Sequence, residues 1–161
     1  RKRIGSIADF SIAENVILET HQSTFSRWGL LDQRAIDAHV SEILRDYDVR
    51  TPGSHSLART LSGGNLQKLI LGRELSRHPR MLVAAQPTRG LDVGATEYVH
   101  ERLLAAREQG TGVRLISEDL DEVMSLADRI LVIYEGKIVG EMASAEADVA
   151  TLGLLMGGAR A

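Results

Sequence analysis

The stretch that decides the fold is Leu61-Ser62-Gly63-Gly64-Asn65-Leu66-Gln67-Lys68, a loop that is predicted to open directly into a helix. The first N–H groups of a helix have no partner within it and lie at the positive end of its dipole. Two glycines let a phosphate approach that backbone, and Ser62 can either cap the helix or donate to a phosphate oxygen. An ordinary glycine-rich turn is the alternative interpretation. The stretch alone leaves both open.

Composition restricts the class of protein. A length of 161 residues suits one domain of ordinary size. The 19 Lys and Arg residues against 22 Asp and Glu residues give a net charge of -3, without the basic excess typical of nucleic-acid binders. The sequence has no cysteine, which excludes disulfides and thiolate metal sites. We therefore expect no nucleic-acid partner.

The first sixty residues are predicted to be helical and connective. Ser11 and Glu14 have the spacing of a capping box, and Asp32 is placed to cap a second helix. The polar stretch 19–27 between them is predicted to be a loop. The turn cluster 51–54 leads into the glycine stretch.

The remainder alternates helices with strands. A helix is predicted from about Gly64 to before Pro79, and another near Gly94–Glu108. A short apolar run typical of a buried parallel strand follows each of these two helices. Asp119 is placed to cap a third helix, and a β-hairpin is predicted after it. The predicted strands are Met81–Ala85, Val113–Ser117, Arg129–Tyr134 and Lys137–Met142. This alternation predicts an α/β layer architecture.

Three segments together resemble the ATPases of ATP-binding cassette (ABC) transporters. The glycine stretch 61–67 is similar to the family's signature motif, and Gly90-Leu91-Asp92 is similar to its D-loop. The segment Ser117–Leu120 falls at the family's switch, or H-loop. Ser62 precedes Ala85 by 23 positions, which is the family's spacing from the signature serine to the Walker B aspartate.

The resemblance implies a particular branch and fold. With Asn65 and Lys68, the signature segment is similar to that of the simple-sugar importers. The segment Ala84–Ala95 resembles the second, C-terminal nucleotide-binding domain of the nucleoside-importing branch. The implied fold is a partial P-loop ABC domain of the α/β class. It would comprise a helical, signature-side subdomain (1–60) and the C-terminal part of the ATPase core with part of its parallel sheet (61–161).

The sequence departs from the family by lacking a G-x-x-x-x-G-K-[ST] motif, the Walker A loop that cradles phosphates. Family order would put that motif upstream of residue 1, so a truncated cassette is expected. The strand order of the family would put the absent Walker A strand between Val113–Ser117 and Arg129–Tyr134. The resemblance therefore implies an ATP hydrolase that is inactive by itself.

The Walker B carboxylates are replaced by Ala85 and Gln86. Ala85 cannot help to hold Mg²⁺, which prefers carboxylate and water oxygens, so no metal ligand is expected in this chain. Gln86 could orient a water but cannot accept its proton, and a positioned general base contributes about 10²–10⁴-fold. A neutral strand-end residue without a role is the alternative for Gln86.

The switch histidine is replaced by Glu118, which would repel a γ-phosphate unless it is turned away. A solvated charge at a helix N-terminus is the alternative for Glu118. Asp92 likewise has two interpretations, a D-loop residue that helps position the opposite ATP site and a simple helix N-terminal charge. The degenerate catalytic positions are thus Gln86 and Glu118.

ABC domains work as head-to-tail pairs, and each ATP lies between the Walker A of one domain and the signature of the other. The resemblance implies that Mg²⁺ and ATP bound to a partner's Walker motifs meet the signature of this chain. The implied ATP contacts are Ser62, Gly63, Gly64, Asn65 and Gln67, with Asp92 of the D-loop.

The implied partners are a second nucleotide-binding domain, transmembrane permease subunits and, indirectly, a solute-binding protein. The chain would lie peripherally at the cytoplasmic face of the plasma (inner) membrane and drive uptake of nucleosides or simple sugars. Two alternatives remain: an ABC-fold regulatory or binding module without transport, and a non-functional truncated fragment.

Overall fold

A computed structural model of the chain describes residues 5–158. The contacts within the chain divide it into two compact units, unit 1 and unit 2. Unit 1 contains the residues up to Leu82 together with Thr88–Thr111, and unit 2 contains Val83–Pro87 together with the residues from Gly112 onward. This grouping differs from the sequence boundary at residue 60, which stays a prediction.

Unit 1 is a helical layer. Its helices are α1 (Ile12–Val16), α2 (Gln33–Asp46), α3 (Gly63–Leu75) and α4 (Val93–Glu108), with a 3-10 turn at Ala58–Thr60. A small antiparallel hairpin of β1 (Ser26–Arg27) and β2 (Leu30–Leu31) lies between α1 and α2. The core between the helices is apolar, and its most buried members are Ile12, Val16, Ile36, Val40, Ile43, Ala58 and Leu69.

The helix starts in unit 1 follow from local capping. The Ser11 hydroxyl accepts the N–H of Glu14 at 3.1 Å, and the Glu14 carboxylate accepts the N–H of Ser11 at 2.7 Å, which completes the predicted capping box. Asp32 caps α2 through the N–H of Ala35 at 3.1 Å. The predicted loop at 19–27 is confirmed only in part, because its last two residues form β1.

The strands form separate two-stranded sheets. Strand β3 (Met81–Ala85) pairs with β4 (Gly112–Ile116) as the parallel sheet, and β5 (Arg129–Tyr134) pairs with β6 (Lys137–Ala143) as an antiparallel hairpin. In unit 2, α5 (Leu120–Leu126) and α6 (Val149–Met156) complete a core around Ile130, Val132, Leu152 and Leu155. The predicted α/β class is confirmed, with β4 one residue earlier than expected.

The strands leave apolar side chains exposed. Met81 and Val83 on β3 are more than half exposed, as are Ile133 on β5 and Ile138 on β6. No helix within residues 5–158 combines the length and apolar character that crossing a membrane requires.

Candidate functional site

The signature segment forms the exposed start of α3. Ser62 is the N-cap, and its Oγ accepts the backbone N–H of Asn65 at 3.3 Å. Ser62 and Gly63 are exposed, and the first turn of α3 carries no acidic side chain. The unpaired N–H groups at this helix start therefore face solvent beside a hydroxyl, without a carboxylate of α3 to oppose an anion.

The two glycines of the signature have different surroundings. A Cβ added at Gly63 would find only Leu91 Cδ2, at 4.0 Å, whereas one at Gly64 would lie 3.3 Å from the Cβ of Ala95. The first position has room for a side chain, while the second lies against α4. The structure thus brings the signature next to the D-loop segment that ends at Asp92.

Asn65 and Gln67 are turned toward the protein. Asn65 is half-buried; its Oδ1 accepts the backbone N–H of Arg50 at 2.8 Å, and its Nδ2 donates to Ser62 Oγ at 3.1 Å. Gln67 is buried, with 8% of its surface exposed, and its Oε1 has no hydrogen-bond partner among the described residues. A direct contact of either side chain with ATP stays a prediction.

A charged and aromatic cluster that the sequence did not predict joins α3 to its neighbours. Lys68 Nζ donates to Asp48 Oδ2 at 2.7 Å and to the Asp48 carbonyl at 3.2 Å, and it lies 4.4 Å from the ring centre of Tyr98. The hydrogen bond from Lys68 lowers the pKa of the Asp48 carboxyl below its ordinary value. Arg102 stacks over Tyr98 and Tyr47, and burial raises the pKa of the Tyr47 phenol.

Asp92 caps α4. Its Oδ1 accepts the N–H of Ala95 at 2.9 Å, and the residue is exposed. The interpretation of Asp92 as a helix N-terminal charge is therefore confirmed, and one of its carboxylate oxygens makes the capping hydrogen bond. The D-loop role, which concerns a second domain, stays a prediction.

The Walker B positions lie at the carboxyl end of β3. Ala85 is exposed and offers only a methyl group. Gln86 follows with a positive φ of 48°, a left-handed conformation that is uncommon for a residue with a side chain, and its N–H donates to the Ile116 carbonyl at 2.7 Å. The backbone at this position is thus fixed to the end of β4.

Glu118 lies in the short connection between β4 and α5, two residues after the end of β4. It is exposed, and the next residue, Asp119, caps α5 through the N–H groups of Asp121 and Glu122. The Asp119 N–H in turn donates to Ser117 Oγ at 3.0 Å. This placement supports the interpretation of Glu118 as a solvated charge near a helix N-terminus.

The structure thus groups the predicted site residues in two sets. Unit 1 holds the signature and Asp92, and unit 2 holds Ala85, Gln86 and Glu118. Within residues 5–158 no three His, Asp or Glu side chains are grouped so that they could hold a metal ion. The Lys68 cluster joins residues far apart in sequence, so a motif search had no signal for it.

Comparison with curated proteins finds import ATP-binding proteins. The chain is 46% identical over 159 residues to the guanosine import ATP-binding protein of Bacillus subtilis, covering 98% of the chain and 31% of that protein. It is 48% identical over 163 residues to the glucose import ATP-binding protein of Haloferax volcanii, covering 98% and 29%. The chain thus spans less than a third of these relatives. No protein-family model matches it.

Comparison with solved structures concerns the fold alone, because the identities are low. The dimeric ABC transporter cassette MJ0796 superposes with a TM-score of 0.71 at 23% identity, covering 89% of this chain and 61% of that one. The cassette MJ1267 gives 0.69 at 19% identity, covering 93% and 60%. The chain therefore has the fold of part of an ABC ATPase cassette and is similar in sequence to the ATP-binding proteins of nucleoside and sugar importers.

Proposed function

We propose that this chain supplies the signature half of a composite ATP site in an ABC importer of nucleosides or simple sugars. The observation that carries the proposal is the exposed start of α3, where Ser62 and Gly63 present a hydroxyl and unpaired N–H groups to solvent. ATP bound to the Walker motifs of a second nucleotide-binding domain would place its terminal phosphate at this helix start. Hydrolysis of that ATP supplies the energy for uptake.

The site formed with this chain's own Walker B region would bind ATP and hydrolyse it poorly. Ala85 offers no oxygen to Mg²⁺, and Gln86 cannot accept a proton from an attacking water. Glu118 places a carboxylate where the family has a histidine. Mg²⁺ at the productive site would therefore be held by the partner's Walker motifs rather than by this chain.

A charge placed at Gly63 tests the proposal. The Gly63→Asp side chain has room, since only Leu91 Cδ2 lies within 4.0 Å of a Cβ there, and an acidic residue in the first turn favours a helix by about 0.3–1 kcal/mol. We expect the substitution to keep or raise the stability of the chain. In the assembled importer it should abolish ATPase activity, because the carboxylate would face a phosphate.

The matched control is Gly63→Asn, which has nearly the same shape without the charge, and it should retain much more activity. Urea unfolding of both variants followed by circular dichroism shows whether the fold is intact. An importer that hydrolyses ATP at the wild-type rate with Gly63→Asp, while Gln86→Glu gives no gain in rate, would contradict the proposal.

The hairpin between α1 and α2 is a candidate contact with a permease subunit. Trp28 and Gly29 form its two-residue turn with φ of 55° and 79°, the geometry of a type I′ hairpin, which leaves Trp28 fully exposed. Leu30 is 76% exposed, and Leu31 borders a cavity of about 420 Å³ beside α1 and α2. Aromatic side chains such as Trp are enriched in the cores of protein interfaces, where anchor residues fill pockets.

Docking of this hairpin on a permease would place the protein peripherally at the cytoplasmic face of the plasma membrane, and a solute-binding protein would act through the permease. Trp28→Ser should weaken assembly with the permease, as measured by co-purification, and leave the urea midpoint unchanged. The control is His21→Ser, a substitution at an exposed residue of the preceding turn. Wild-type assembly with Trp28→Ser would contradict this docking surface.

A further inference from the structure

The Asn65 side chain connects the loop after α2 to the signature serine. Its Oδ1 accepts the Arg50 N–H at 2.8 Å, and its Nδ2 donates to Ser62 Oγ at 3.1 Å. The orientation of the amide is fixed by chemistry, because a backbone N–H can only donate and the amide atom that faces Arg50 must be the oxygen. The nitrogen therefore faces Ser62.

Ser62 Oγ consequently receives two donors from one residue. The backbone N–H of Asn65 donates to it at 3.3 Å, in addition to the side-chain amide. A hydroxyl has one proton and two acceptor lone pairs, so both lone pairs are used. The Ser62 hydroxyl proton must then be donated to an acceptor other than Asn65, and it points to solvent because the side chain is exposed.

We propose that Asn65 is a positioning residue, which aims the hydroxyl proton of Ser62 outward at the phosphate and does not itself contact the nucleotide. The inference rests on the proposed function, in which Ser62 meets a phosphate. It assigns to Asn65 a role different from the ATP contact that the resemblance implied.

The partner that anchors Asn65 is itself held in place. Asp48, two residues before Arg50, receives two hydrogen bonds from Lys68, one turn along α3 from Asn65. The loop after α2 is thus attached to α3 at both positions. This attachment keeps the Arg50 N–H, and with it the amide plane of Asn65, in a constant orientation.

A double-mutant cycle tests the inference in the assembled importer, with kcat/KM for ATP as the readout. Asn65→Asp keeps the acceptor for Arg50 but turns an acceptor toward Ser62, so the hydroxyl proton rotates inward; Asn65→Ala removes the donor without adding charge. We expect a loss of about tenfold from Asn65→Ala, in line with one hydrogen bond, and a larger loss from Asn65→Asp. Ser62→Ala should cost about 10–100-fold, since its hydroxyl meets a charged group.

The decisive comparison is made in the Ser62→Ala background, where Asn65→Ala should have no further effect. An equal loss in both backgrounds, or no loss in either, would overturn the positioning role alone. A wild-type rate with Ser62→Ala would overturn the proposed function and the inference with it. Gln109→Ala, at an exposed amide after α4, is the control and should keep the wild-type rate, and urea unfolding verifies that each variant is folded.

Discussion

A methyl group at Gly72 tests how closely α2 and α3 pack. A Cβ built at this buried glycine lies 2.9 Å from Ile43 Cγ2 and 2.9 Å from two ring carbons of Tyr47, closer than carbon atoms approach without displacement. Ile43 is 1% exposed, so it has little room to move. Gly72→Ala therefore forces α2 and α3 apart or moves the Tyr47 ring.

The expected magnitude is a balance of two effects. Overpacking a core by one carbon costs about 1–3 kcal/mol, and replacing Gly by Ala inside a helix returns about 1 kcal/mol. Because three contacts fall below 3.0 Å, we place the overpacking in the upper half of its range. The free energy of unfolding should then fall by about 1–2 kcal/mol.

Urea unfolding followed by far-ultraviolet circular dichroism at low protein concentration measures this change. The matched control is Gly94→Ala, in the first turn of α4 in the same unit, where the nearest atom to the new Cβ would be Asp92 Oδ1 at an ordinary 3.7 Å. Gly94→Ala should stabilise the chain by up to about 1 kcal/mol. An equal stabilisation by Gly72→Ala would refute the close packing of α2 on α3.

Three further outcomes are expected. Asp48→Asn should lower the urea midpoint at neutral pH, and this effect should shrink as the pH falls below 3.8. The depressed pKa of Asp48 gives stability that is present above the unfolded value of 3.8 and is lost as the pH falls through the folded pKa. Gln86→Gly should leave stability unchanged or raise it by up to about 1 kcal/mol, since its φ of 48° strains a side chain; a clear loss would show that the side chain itself is needed. The 161-residue chain alone should show no shift of its unfolding midpoint with millimolar Mg-ATP, and a midpoint raised by Mg-ATP would contradict this expectation. The chain should also self-associate as its concentration rises, because Met81, Val83 and Ile133 are exposed on its strands, and light scattering measures this association.

The positions of helices and strands could be predicted from sequence because their causes are local. Ser11 with Glu14 and Asp119 with Glu122 are each three residues apart, and Asp32 is a capping residue directly before its helix, so residue types and their positions alone predict these helix starts. The apolar run Met81–Ala85 likewise predicted β3. The hairpin at Ser26–Leu31 escaped prediction, since strands of two residues are too short to show alternation.

The resemblance to ABC cassettes was also a property of the sequence, because the signature and D-loop are contiguous motifs with a family spacing. What the motifs left open was the environment of each side chain. The sequence allowed two interpretations each of Ser62 and Asp92, and only the structure shows that both side chains accept a backbone N–H at a helix start. The burial of Gln67 had no sequence signal.

Only the tertiary structure decided the contacts that hold the signature in place. Asn65 meets Arg50 across 15 residues and Lys68 meets Asp48 across 20, while Tyr98 reaches the carbonyl of Tyr47 across 51. Such pairs depend on how α2, α3 and α4 pack. The close packing of α2 on α3 requires glycine at position 72, which has no side chain. The sequence by itself determined which motif this chain carries; the packing of helices distant in sequence decided how its serine is oriented, because hydrogen bonds between remote segments form only after those segments have been brought together.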